Sequence, residues 1–268
     1  MLARLLPLVL MASTMPLAAV ASEPVSLYAA GSLRGALTEI AGAFEAAAQV
    51  AVRAKYGPSG VLKDEIAAGA KADVFASANM EHPQALAQAK LGGPVVLFAR
   101  NRLCALTRPG LAVEPATLLD RMLDPQLKLG TSTPRADPSG DYAWEVFRKA
   151  DRIRPGSFSA LDKKALQLVG SPISPPGPPG RALYGVLVAD GKADIFLTYC
   201  TNAMTAQREN PGQQIVALPD ALAVGADYGL TVTNAGSAGA YHFAMFILSE
   251  AGQRILANHG FAAPLLRP

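Results

Sequence analysis

What this 268-residue chain lacks narrows its chemistry. Its three histidines, His82, His242 and His259, are scattered, with no His-x-x-x-His pair and no cysteine at ligand spacing, so the sequence gives no support to a zinc site. The formal charge is only +3 and no basic run is interleaved with aromatics, which argues against a nucleic-acid surface. A G-x-S-x-G elbow, a Ser-x-x-Lys pair, a Walker loop and a G-x-G-x-x-G turn are all missing. A serine nucleophile would find only a distant histidine as its base, so binding rather than catalysis is expected. Cysteine is represented only by Cys104 and Cys200; an oxidising compartment would allow one disulfide, and two buried thiols are the alternative.

Long apolar runs are confined to the first residues. Arg4, the stretch Leu5 to Val20 and the small residues Ala19-Val20-Ala21 read as an export signal cleaved near Ala21. Pro7 and Pro16 interrupt the run, which is too short to be a membrane span, and no later stretch is long and apolar enough to be one. No cysteine follows the expected cleavage site, so no lipid anchor is expected and the mature protein is placed in a periplasm. About 245 residues remain, enough for one large domain or two lobes of roughly 120 residues each.

Strand and helix signals then alternate, which predicts α/β architecture with parallel strands. Strands are expected at 25–29, 50–56, 73–78, 94–99, 103–106, 128–130, 194–198, 214–217 and 228–233. Helices are expected at 33–47, 61–68, around Leu86, and at 115–123, 142–150, 182–189, 203–209, 240–248 and 251–259. In the first of these Leu33, Leu37, Ile40 and Phe44 recur at helical spacing. Residues 171–180 hold five prolines and read as a loop of polyproline character.

Three strand-to-helix junctions carry a serine. Gly31-Ser32 follows the first strand, Gly57-Pro58-Ser59-Gly60 the second, and Asp137-Pro138-Ser139-Gly140-Asp141 precedes the helix at 142–150. Ser32 sits where an N-cap belongs, with free backbone N–H groups and a hydroxyl pointing the same way. That geometry binds anions without a charged side chain. Tyr199 adds a fourth hydroxyl at the C-terminal end of a buried strand, where open α/β sheets bind ligands. A pocket of hydroxyls and amides suits a fully ionised tetrahedral oxyanion, which only accepts hydrogen bonds. Such charge-assisted bonds contribute on the order of 1.5–3 kcal/mol each when water is excluded. Two lobes hinged around the ligand would exclude it.

On these residues the chain resembles the periplasmic molybdate/tungstate-binding proteins of ABC importers, of the type II periplasmic binding-protein fold. The resemblance runs from about Val25 to Pro264 and is strongest in Ala29-Ala-Gly-Ser-Leu-Arg-Gly-Ala36, Gly57-Pro-Ser-Gly60, the stretch Ile66 to Ala78 and Ala193-Asp-Ile-Phe-Leu-Thr-Tyr199. It implies two Rossmann-like α/β lobes joined by a hinge with the ligand cleft between them. Residues 22–100 and 226–268 would form one lobe and 101–225 the other, after a signal peptide at 1–21. It also implies that Ser32, Ser59 and Tyr199 donate hydroxyl bonds to the anion, that the Pro138-Ser139-Gly140 loop supplies an amide and the Ser139 hydroxyl, and that a further amide falls at Arg181. The metal would be held only as an oxyanion, molybdate or tungstate, with no other cofactor. The implied partners are the membrane subunits of an ABC permease, and a monomer is expected.

Two features depart from the family pattern. The proline-rich loop occupies the place of the second amide, leaving a solvated loop arginine as the other reading of Arg181. Asp137 and Asp141 would repel a dianion; they read as a helix cap and a first-turn acid, or as acceptors for a protonated anion. Sulfate, phosphate and ferric iron therefore stand as alternative ligands, the last through Tyr199 with Tyr184 or Tyr228, and a secreted serine hydrolase is the remaining alternative.

Overall fold

A computed structural model describes residues 23–175 and 177–264. The expected signal peptide at 1–21 lies outside them. The first elements are β1 (Val25–Ala30), α1 (Arg34–Ala48), β2 (Val52–Gly57), α2 (Ser59–Ala67), β3 (Val74–Ser77), α3 (Glu81–Gln88) and β4 (Val96–Thr107). There follow α4 (Leu118–Leu123), β5 (Leu129–Ser132), α5 (Pro138–Ile153), α6 (Ser157–Lys164), β6 (Leu166–Val169), α7 (Leu183–Ala189), β7 (Ile195–Tyr199) and α8 (Cys200–Glu209). The chain continues through β8 (Gln214–Ala217), β9 (Gly225–Val232), α9 (Ala238–Leu248) and α10 (Glu250–Asn258), with short 3-10 turns at Gly31–Leu33 and Pro115–Thr117.

The strands run in the order β2-β1-β3-β9-β4-β7-β5-β6, with β8 also paired to β4. At one end β2, β1 and β3 are parallel and β9 is antiparallel to β3. At the other, β6, β5 and β7 are parallel and β4 is antiparallel to β7. β4 is shared: residues 96–102 pair with β9, whereas Leu103 to Thr107 pair with β7. The sequence pattern predicts two strands here because Arg100, Asn101 and Arg102 interrupt the apolar run. The structure joins them into one strand, since the polar residues find partners: Arg100 pairs with Asp227, and Asn101 donates to Thr201.

Period-two alternation along the strands supplies two faces to each half of the sheet. Leu27, Val74 and Ala76 face α1 and α9, where the predicted stripe Leu33, Leu37, Ile40 and Phe44 is buried against Phe243 and Ile247. Phe75 on the opposite face packs against Leu62 and Ile66 of α2 and Leu86 of α3. In the other half Ala105, Ile195 and Leu197 meet Val146 and Phe147 of α5 and Leu161 of α6, while Leu106 and Phe196 meet Val188 of α7 and Ala203 and Ala206 of α8.

α6 and β6 have no counterpart among the predicted elements. β6 is a four-residue edge strand whose Leu166 and Gln167 are exposed, so it lacks the apolar run that marks a buried strand. Cys104 and Cys200 are bonded to each other with their Cα atoms 4.9 Å apart, which resolves the open choice between a disulfide and two thiols.

Candidate functional site

The C-terminal ends of the parallel strands open onto the serine junctions. Gly31 and Ser32 follow β1, Pro58 and Ser59 follow β2, Ala78 follows β3, the loop 133–137 follows β5, and Tyr199 ends β7. None of the three serines caps a helix with its side chain. This corrects the N-cap reading of Ser32, whose residue lies inside the 3-10 turn Gly31–Leu33 and whose hydroxyl meets the Tyr228 hydroxyl at 3.0 Å. Pro58, extended and without an N–H, is the residue before α2, and Ser59 is its first helical residue. At α5 the cap is Asp137, whose Oδ1 accepts from the Ser139 amide at 3.0 Å. The Ser139 hydroxyl is fully buried and has no protein partner.

Ser59 and Tyr199 converge on one residue. The Ser59 Oγ accepts from the Ala78 amide at 3.1 Å, which leaves its own proton to donate elsewhere. Tyr199 and Tyr142 both direct their hydroxyls to the Ala78 carbonyl, at 3.4 and 3.5 Å. Long bonds of this kind are readily exchanged for better acceptors. The Tyr199 ring lies edge-on to Tyr228 at 5.6 Å and to Tyr142 at 6.2 Å. Ser32, Tyr228, Tyr199, Ala78 and Ser59 thus form one connected polar cluster, and no lysine, arginine or histidine bonds to it among the described residues. Ser139 stands beside it, one turn before Tyr142 on α5. The loop ahead of Ser139 touches the residue after Ser59, because the Gly60 amide donates to the Ala136 carbonyl at 2.9 Å. Only glycine fits there: a Cβ at position 60 would lie 2.3 Å from the Arg135 carbonyl oxygen.

The phenols are kept as neutral donors. Burial pushes the Tyr199 hydroxyl well above the ordinary tyrosine range, and the adjacent Tyr228 adds to it. Tyr228 and Tyr142 move upward for the same first reason. Among the described residues no three His, Cys, Asp or Glu side chains are grouped to hold a metal ion. Among the described residues no histidine bonds to Ser32, Ser59 or Ser139, and the His259 ring meets Glu39.

Arg181 forms no hydrogen bond to this cluster among the described residues, in line with the second of its two readings, a solvated loop arginine. Its amide donates to the Pro178 carbonyl and its exposed guanidinium pairs with Glu209 at 3.1 Å. Glu209 ends α8, the far end of that helix from Tyr199. Asp141 accepts from the Arg135 amide, and Asp137 caps α5, as the first of their two readings expects.

Tyr228, Tyr142, Asn101 and Ala78 are contributors that the serine pattern does not reveal. Asn101 donates to both Tyr228 and Thr201 and so fixes the phenol that meets Ser32. Its one sequence signal is a polar residue in the middle of an apolar strand.

Comparison with known proteins gives a consistent picture. Residues 25–262 match the family model described as bacterial extracellular solute-binding protein. An uncharacterized protein of Pasteurella multocida is 36% identical over 210 residues, covering 78% of this chain and 87% of its own. The molybdate-binding protein ModA of Mycobacterium tuberculosis is 27% identical, covering 91% and 86%. Among solved structures, the periplasmic molybdate-binding protein of Azotobacter vinelandii superposes with a TM-score of 0.72 at 20% identity, covering 90% of this chain and 99% of that one. The sulfate-binding protein SubI of M. tuberculosis gives 0.74 at 18% identity, covering 91% and 88%. These similarities establish the type II periplasmic binding-protein fold.

Proposed function

The chain belongs to the bacterial extracellular solute-binding protein family, and from this we propose that it captures a tetrahedral oxyanion, molybdate before tungstate, and delivers it to the membrane subunits of an ABC permease. The observation that carries the reading is the cluster of hydroxyls at the strand ends, to which no cation bonds among the described residues. Ser32, Ser59, Ser139 and Tyr199 are the proposed donors, joined by Tyr228. A neutral donor set can bind a dianion tightly because each hydroxyl bond to it is charge-assisted in a water-poor site. Preference for molybdate comes from the 27% identical relative of that name; a structural neighbour named for sulfate keeps that anion in the comparison. In this reading residues 22–100 with 226–268 and residues 101–225 are two lobes, and β4 and β9 are the strands that cross between them. The anion gains access when the Gly60 amide leaves Ala136, and closure restores that contact around it. In this reading the protein works outside the cytoplasm, with residues 1–21 as its export signal; among the described residues no helix is long and apolar enough to cross a membrane.

Thermal unfolding with molybdate, tungstate, sulfate, phosphate and ferric citrate in turn tests this. A ligand at a hundred times its Kd adds about 2.7 kcal/mol of stability. Molybdate and tungstate are expected to raise the midpoint; a shift only with another compound refutes the assignment. Ser59→Ala and Tyr199→Phe should each weaken binding by about 10-fold or more, the value of one charge-assisted bond, while Arg181→Ala leaves it unchanged.

A further inference from the structure

Asp137 caps α5 next to Ser139, its charge is felt by Tyr199, and no cation is paired with it among the described residues. No salt bridge includes it among the described residues. The chain makes room for it: Gly170, just after β6, has φ +87°, and a Cβ there would lie 2.6 Å from the Asp137 Cβ and 2.9 Å from its Oδ2. On either side stand Ser132, which ends β5 and whose hydroxyl faces the Asp137 carboxyl, and Ser139; both are fully buried, and the Ser139 hydroxyl has no protein partner. The Ser139 hydroxyl, whose own amide is bonded to Asp137, is thus a buried donor left free for a polar ligand beside that carboxyl.

The charged and titratable groups around Asp137 are few. Asp141 on α5 acts against its ionisation, and Tyr184 of α7 and Tyr199 of β7 both feel its charge. Arg135 forms no salt bridge with it, and no cation is among the groups that shift it. An ionised carboxyl beside a bound dianion is disfavoured by like charge, so the two can share this space only with a proton between them.

We propose that Asp137 is a ligand-binding residue that holds one proton against the bound oxyanion, so that a proton-free anion such as molybdate is captured together with a proton from solvent. The inference rests on the reading of the cluster as an oxyanion site. On binding, the Asp137 carboxylate gains a proton and donates the resulting O–H to an anion oxygen; neither partner changes otherwise. In the ligand-free protein burial raises this carboxyl to about 6, with the Ser139 amide and the Ser132 hydroxyl opposing the rise, so near neutral pH the proton has to be taken up. An anion that carries its own proton, as monohydrogen phosphate does, would need no uptake.

Titration calorimetry of the mature protein with sodium molybdate, in buffers of different ionisation enthalpy, reads this directly. At pH 7.5 the wild type is expected to take up close to one proton, and its Kd to weaken about tenfold per pH unit from 6.5 to 8.5. Asp137→Asn and Asp137→Ser both retain a side chain able to cap α5 and should bind with no uptake and a flat Kd. Asp141→Asn should keep the wild-type uptake. Molybdate bound without proton uptake, or an unchanged pH dependence in Asp137→Asn, overturns this inference and leaves the oxyanion assignment standing. No binding of molybdate at any pH overturns both.

Discussion

Replacing Asp137 by asparagine should stabilise the ligand-free protein above pH 6, although it removes a charge from a helix N-terminus. The folded-state pKa of this carboxyl is raised from 3.8 to about 6, chiefly by burial. Between those values the native state holds a proton that the unfolded chain has released. Wild-type stability therefore falls as pH rises through that window and stays lowered above it. A rise of about two units at 1.36 kcal/mol each gives an upper limit of about 3 kcal/mol, and the residual solvent contact of the residue brings the expectation to about 2. Asparagine caps a helix as well as aspartate does, so the Ser139 amide keeps its acceptor. For roughly 245 residues the unfolding entropy is about 0.5 kcal/mol per degree, so about 2 kcal/mol becomes about 4 °C in Tm. Thermal unfolding of wild type and variant, without ligand, should coincide near pH 4 and diverge up to pH 7. Parallel profiles across that range, or a variant less stable at pH 7, would refute the placement of Asp137 as an uncompensated carboxyl.

Two further outcomes follow from the tertiary contacts. Removing the disulfide with Cys104→Ala and Cys200→Ala opens a loop of 96 residues and should cost between 4 and 5 kcal/mol, about the value for a loop of that length; a guanidinium midpoint equal to that of the wild type would show that the bond contributes nothing. Gly60→Ala places a methyl against the Arg135 and Ala136 carbonyls, so it should speed anion release by tenfold or more in stopped-flow measurements while changing the unfolding midpoint little, and an unaltered release rate would mean that this contact is not part of closure.

The local signals in the chain were strong where one element dictates its own pattern. The stripe Leu33, Leu37, Ile40 and Phe44 specified both α1 and its buried face, and the alternation of strands and helices specified the α/β class. Ser32, Ser59 and Tyr199 were legible as candidates because glycine, proline and serine at a strand end have few other uses, and the structure brings all three into one cluster. Local signals are weakest where neighbouring chemistry is ambiguous: the polar centre of β4 resembles a break, and Arg181 carries two readings, of which the loop arginine paired with Glu209 is the one its contacts match.

By itself, then, the sequence determined the fold class, the periodic faces and the hydroxyl-bearing junctions, since each follows from backbone preference and burial within a dozen residues. Only the tertiary structure decided the partners. Ser32 meets Tyr228 across 196 positions because β9 returns to lie between β3 and β4, and no local pattern encodes which strand will occupy that slot. The same holds for Asp137: its cap role is written in the sequence, but its lack of a cation and its seat against Gly170 exist only once β5 and β6 have paired.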